Sequence, residues 1–100
     1  MTKLALYVQL EAKPGKEAEL AAFLAGAAKL VEAEAGTVAW FAMRMGPTSF
    51  GIFDAFDDEA GREAHLSGAV AKALMGRASE LLFDAPMIDK IEILADKLPR

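Results

Sequence analysis

His65 and Asp54 are the residues whose types and setting best suit proton chemistry. His65 is the single histidine of the sequence, and imidazole is the side chain whose unperturbed titration lies near neutrality, which makes it the natural proton shuttle. It sits in Ala64-His65-Leu66-Ser67-Gly68, where Ser67-Gly68 marks a break in a helix. There it could take a phenolic proton from a bound substrate, or simply satisfy backbone groups around Ser67. Asp54 lies inside Phe50-Gly51-Ile52-Phe53-Asp54-Ala55-Phe56, an apolar strand in which a carboxylate is out of place by propensity. Burial disfavours the charged form of a carboxyl, so Asp54 could serve as a general base or as a proton-sharing partner of His65. The plainer role is a structural carboxylate held by a backbone donor, by Arg62 or by Arg44.

Tyr7, Trp40, Phe41 and Phe56 are candidate ring partners for an aromatic ligand; Tyr7 and Trp40 add a polar handle. More often such residues are core or interface. Arg44 could bind an anionic substituent or form a salt bridge at the rim. The methionines, with Met43 and Met45 alternating on one strand, read as gap-filling core. With one histidine and no cysteine, no metal cofactor is expected, and no cysteine nucleophile or disulfide framework is available. No glycine-rich phosphate loop follows a strand, and no serine-nucleophile elbow occurs.

The elements that must position these groups can be read from periodicity. Leu4 to Glu11 alternates as a strand, with Leu4, Leu6, Val8 and Leu10 on one face. Pro14-Gly15 ends it and opens a helix whose first turn carries Glu17 and Glu19, where the dipole favours acids. Leu20, Phe23, Leu24, Ala27, Leu30 and Val31 form its apolar stripe, and Gly36 is a natural stop. Val38–Met43 and Phe50–Phe56 then read as a β-hairpin apolar on both faces. A two-residue loop at Pro47-Thr48 is excluded, because such hairpin turns need φ > 0 where proline cannot go. A four-residue loop, Gly46 to Ser49, would place Trp40 opposite Ala55 and Phe41 opposite Asp54; a three-residue loop would shift the pairing by one and place Asp54 opposite Trp40. The four-residue loop is the expectation. It puts Asp54 on a face with Phe41, Met43, Ile52 and Phe56, and puts Trp40, Ala42, Phe53 and Ala55 on the other.

Asp57 or Asp58 is a ready N-cap for a short helix through His65. A second segment after Ser67-Gly68 faces Val70, Ala73, Leu74, Ala78, Leu81 and Leu82 inward. Ile88 to Leu94 alternates as an edge strand. The sum is βαββαβ, an α+β ferredoxin-like domain of residues 1–100 with a four-stranded antiparallel sheet and helices on one face. Helices from so short a chain cover one face of the sheet. The hairpin is apolar on both, and 54% of the residues are hydrophobic, so a homodimer joined sheet to sheet is expected. A net charge of −4 argues against a nucleic-acid partner. No run approaches the roughly 18 apolar residues of a membrane span, and no signal-peptide shape opens the chain, so a cytoplasmic protein without a membrane partner is expected.

Asp54-Ala55-Phe56-Asp57, Glu59-Ala60 and Ala64-His65-Leu66-Ser67 together resemble the antibiotic biosynthesis monooxygenase (ABM) family of the dimeric α/β-barrel superfamily. That family's pattern is an acid, a spacer, an aromatic, an acidic or small polar residue opening a helix, and Ala-His ending nine residues after the aromatic, the spacing of Phe56 and His65 here. Val8-Gln9-Leu10-Glu11-Ala12-Lys13-Pro14-Gly15-Lys16-Glu17 is similar to the family's first strand and helix opening. The resemblance spans about residues 4 to 95. It implies a homodimer of face-to-face sheets, a pocket between sheet and helices in each subunit, and oxidation of a phenol or quinol by molecular oxygen without metal or flavin. It also places Asp54 and His65 on the pattern's acidic and histidine positions. Phe56 stands where the pattern often has tryptophan, Gly61-Arg62 replaces alanine and an aromatic, and Gly68-Ala69 replaces a proline and second histidine. The chain has no asparagine, so the heme-degrading branch is not supported. Two readings follow: a cofactor-independent monooxygenase acting on a small aromatic phenol or quinol, or a non-catalytic homodimeric module that binds a small ligand or is structural. Convergence of Asp54 and His65 on an apolar pocket is what separates them.

Overall fold

In the computed structural model, which describes residues 1–99, the chain runs β1 (Leu4–Glu11), α1 (Glu17–Val31), β2 (Thr37–Arg44), β3 (Ser49–Phe56), α2 (Glu59–Leu66), α3 (Ala69–Leu81) and β4 (Met87–Glu92). The four strands form one sheet in the order β2-β3-β1-β4, and every neighbouring pair is antiparallel. This is the ferredoxin-like βαββαβ arrangement read from the sequence. β1 is central because it alone pairs with both β3 and β4, while β2 and β4 are the edges.

Local chemistry sets the element ends. Gly15 adopts φ +85 in the turn before α1, a conformation that costs a glycine little. Glu17 and Glu19 occupy the first turn of α1 and Lys29 the last, each on the favourable end of the dipole. The helix ends at Val31, short of Gly36, because Glu34 N–H bonds Val31 O at 2.8 Å and Thr37 N–H bonds Glu34 O at 3.2 Å, folding residues 32–36 into turns. Asp58 caps α2 by accepting from Gly61 N–H at 2.8 Å.

The core lies between the sheet and its helices. Val8, Leu10, Phe50 and Ile52 from the strands meet Leu20 and Leu24 of α1 and Leu74 and Leu81 of α3. Leu30, expected in the α1 stripe, is 43% exposed; it falls at the stripe's margin, where the helix is about to end. Among the described residues no helix is long and apolar enough to cross a membrane.

The hairpin corrects one expectation. Its loop has three residues, Gly46 to Thr48, since Met45 N–H bonds Ser49 O at 2.8 Å. Side chains lock this length: Arg44 donates to Gly46 O at 3.2 Å and Pro47 O at 2.8 Å, and Glu11 on β1 accepts from Thr48 at 2.6 Å and Ser49 at 2.8 Å. Trp40 therefore pairs with Asp54, not Ala55, and Phe41 with Phe53, not Asp54. The facial sets exchange accordingly. Trp40 and Ala42 share the helix-covered face with Phe50, Ile52, Asp54 and Phe56. Phe41 and Met43 share the other face with Phe53 and Ala55.

Candidate functional site

Asp54 is positioned by strand alternation. In β3 the side chains of Phe50, Ile52, Asp54 and Phe56 turn to the helices, and the central place of the strand sets Asp54 between Leu6 of β1 and Trp40 of β2. It is 0% exposed. His65 is positioned by α2, whose buried face carries Gly61, Arg62 and His65, neighbours at helical spacing. The Asp58 cap fixes where that helix starts, and thus its rotation over the sheet.

The two meet. His65 Nε2 lies 2.9 Å from Asp54 Oδ2, and the ring of Phe56 stacks obliquely beside the imidazole, 5.6 Å between centroids. On the far side of the ring, Nδ1 lies 2.5 Å from Oε1 of Glu34, an oxygen that also accepts from the Thr37 hydroxyl at 2.8 Å. The imidazole is thus clasped between carboxylates from the α1–β2 turn and from β3. Burial alone would push the His65 imidazole down, but the Asp54 and Glu34 carboxylates set against its two nitrogens outweigh it and hold it above its ordinary value of 6.5.

Two glycines allow this clasp. A Cβ on Gly36 would lie 2.8 Å from Gly61 Cα, and one on Gly61 would lie 2.8 Å from Gly36 O. Only a glycine on each side lets the α1–β2 turn rest directly on α2, which carries Glu34 to His65.

Asp54 and His65 also face an apolar cavity of about 110 Å³ between the sheet and α2–α3, walled by Leu6, Val8, Ile52, Val70, Leu74 and Ile88 among others. It is smaller than the apolar cavity of roughly 150 Å³ known to accept benzene. Several buried polar atoms lack an aligned hydrogen bond: both oxygens of Asp54, Oε2 of Glu34 and Nε1 of Trp40. Oδ2 of Asp54 is held only by its approach to His65.

The remaining candidates scatter. Trp40 sits beside Asp54 on the helix side and packs against Ala27, Val31 and Val70. Tyr7 and Phe41 point to the opposite face of the sheet, where Tyr7 OH contacts Met45 Sδ at 3.3 Å and Phe41 is 53% exposed; the structure does not bring them to the cavity. Arg44 closes the hairpin loop and covers the Phe50 ring at 5.1 Å. Neither arginine proposed as a partner of Asp54 reaches it, since Arg62 pairs with Glu59 at 2.9 Å. Glu34 was not singled out by the sequence reading. Its setting, Val31-Glu32-Ala33-Glu34-Ala35-Gly36, looks like a solvated helix end, and no spacing links it to His65.

No family model and no curated protein matches the sequence. Among solved structures, a protein of unknown function from Nitrosomonas europaea is 63% identical, with a TM-score of 0.99 and coverage of 100% of this chain and 97% of that one. A Pseudomonas aeruginosa protein is 25% identical with a TM-score of 0.80, covering 95% of this chain and 97% of that one. A Caulobacter crescentus protein, provisionally named an antibiotic biosynthesis monooxygenase, is 16% identical with a TM-score of 0.81, covering 94% and 92%. Several neighbours on this fold bear that provisional name.

Proposed function

The chain belongs to one family with the Nitrosomonas europaea protein of unknown function, and from that premise we propose that it is a cofactor-independent monooxygenase acting on a small aromatic phenol or quinol. One observation carries the reading: the only histidine and a fully buried aspartate lie 2.9 Å apart on the wall of an apolar cavity. A shared fold with provisionally named monooxygenases raises the same reading by analogy, but a fold hosts many functions.

The chemistry follows from the groups present. A phenolic hydroxyl entering the cavity meets Asp54 Oδ1, a buried acceptor without an aligned donor, which takes its proton. The His65 imidazolium beside Asp54 favours the phenolate that forms, and the apolar walls keep water away. The phenolate gives an electron to molecular oxygen, the two radicals join at a ring carbon, and the adduct expels water. One hydroquinol and one oxygen molecule thus yield one hydroxyquinone and one water, with every electron supplied by the substrate. No outside reductant is required.

The proposal includes a cytoplasmic homodimer. The sheet face away from the helices carries Tyr7, Phe41, Phe53 and Ile91, with Met45 and Met87 more than half exposed at its margin. A second copy laid on this face would bury an apolar surface that water otherwise meets.

Oxygen uptake on a panel of hydroquinols and monocyclic phenols tests the activity. Turnover by the wild type, lowered about 10²-fold or more in His65→Ala and in Asp54→Asn, is the expected result. Thermal stabilisation by a panel member without oxygen uptake would favour the ligand-binding module instead.

A further inference from the structure

We infer that Glu34 is the positioning residue of His65: it holds the Nδ1 proton, so that Nε2 is the nitrogen whose proton moves toward Asp54 and the cavity. The inference rests on His65 acting at the cavity, but its test does not.

A neutral imidazole carries one N–H, while two carboxylates here each face a ring nitrogen. The imidazolium satisfies both. When one proton leaves, the nitrogen that keeps its proton decides which face of the ring is reactive. Three observations assign the retained proton to Nδ1. Glu34 Oε1 is the closer acceptor, 2.5 Å against 2.9 Å for Asp54 Oδ2. The contact to Glu34 meets hydrogen-bond geometry, whereas the 2.9 Å approach of Nε2 to Asp54 Oδ2 is a close ion-pair contact outside it. Glu34 is itself fixed, by the Thr37 hydroxyl at 2.8 Å and by a turn seated on α2 through the contact of Gly36 with Gly61. An acceptor that cannot swing away fixes both tautomer and ring orientation, as the carboxylate of a hydrolase triad does for its histidine.

Among the described residues the charges nearest the ring are engaged elsewhere. On α2 itself Arg62 is engaged by Glu59 at 2.9 Å and Glu63 by Lys90 at 3.6 Å. β1 and α3 present Leu6, Val8, Val70 and Leu74 toward the cavity. The Nε2 proton is therefore left between the imidazole and Asp54, the carboxylate that lines the cavity.

Ring-nitrogen NMR of uniformly labelled protein reads the tautomer directly and needs no substrate. In the wild type, above the titration of His65, the neutral ring should be the Nδ1–H form. Glu34→Gln should keep that tautomer, because an amide oxygen still accepts, while lowering the pH at which the ring titrates. Glu34→Ala should release it to the Nε2–H form donated to Asp54. A wild-type Nε2–H tautomer overturns the inference, and that measurement stands even where Glu34→Ala fails to fold. An unchanged tautomer in a folded Glu34→Ala overturns it equally. Should the wild type show Nδ1–H yet oxidise no quinol, Glu34 keeps its role and the oxygenase reading falls; Nε2–H in an active enzyme gives the reverse.

Discussion

Trp40 on β2 stands directly opposite Asp54 on β3, and Trp40 Nε1 and both Asp54 oxygens are buried without an aligned hydrogen bond. Asp54 Oδ2 has the His65 imidazole at 2.9 Å, but a buried polar atom left with no partner, as Trp40 Nε1 and Asp54 Oδ1 are, costs about 1–3 kcal/mol. Under the proposed function, a polar ligand group entering the cavity would pair with them.

Trp40 is the single tryptophan, so its fluorescence reports this environment alone. Emission should be blue-shifted in the native protein and move red on unfolding. Trp40→Ala should cost about 3 kcal/mol, because the indole bridges the sheet to Ala27, Val31 and Val70. Native emission typical of indole in water would reject the placement.

The clasp on His65 makes stability depend on pH with a definite sign. The imidazole is held above 6.5 in the folded protein, so the native state binds its proton more tightly than the unfolded chain. That contribution is complete below an unfolded value of about 6.5 and is lost as the pH rises through the higher folded value. Urea midpoints should fall across this window in the wild type and stay flatter in His65→Gln. Parallel profiles for the two proteins would contradict the clasp.

The glycine contact gives a stability prediction with its own control. Gly61→Ala forces a methyl against Gly36 O and should cost about 1–3 kcal/mol as overpacking, with the His65 titration shifted downward as Glu34 is pushed away. Gly26→Ala on α1 meets nothing within 4 Å and should stabilise by about 0.5–1 kcal/mol through helix propensity. Equal effects of the two would show that the close approach is not present.

Dimerisation through the bare sheet face should appear as a doubled mass in sedimentation at micromolar concentration. Phe41→Lys, which leaves the helix-covered core untouched, should shift the protein to monomer without loss of helical signal. A wild-type monomer at that concentration would remove the dimer from the proposal.

The legible parts of this fold were those with local causes. Alternation gave β1 to the residue, and the Asp57-Asp58 pair announced α2, with Asp58 making a cap that acts within one turn. The hairpin loop was less determinate. Pro47 excludes a two-residue turn, but nothing in Gly46-Pro47-Thr48-Ser49 separates three residues from four. The decision lies with Glu11, whose bonds to Thr48 and Ser49 cross 37 and 38 residues. Asp54 and His65 were visible because each is chemically odd for its surroundings. Glu34 was not, since a glutamate at a helix end is ordinary, and its contact with His65 spans 31 residues.

The central place of β1 has a consequence for synthesis. Residues 4 to 9 are made well before their β4 partners, residues 87 to 92, so one edge of the strand waits while the intervening elements emerge. Such distant pairing slows folding, and an open apolar edge invites intermolecular pairing meanwhile. Glu34, Asp54 and His65, by contrast, lie within residues 34 to 65, where the β2–β3 pairing is local in sequence. The proton-handling groups should therefore assemble before β4 supplies Ile88 to wall the cavity, and a chain stalled before that strand should aggregate through β1.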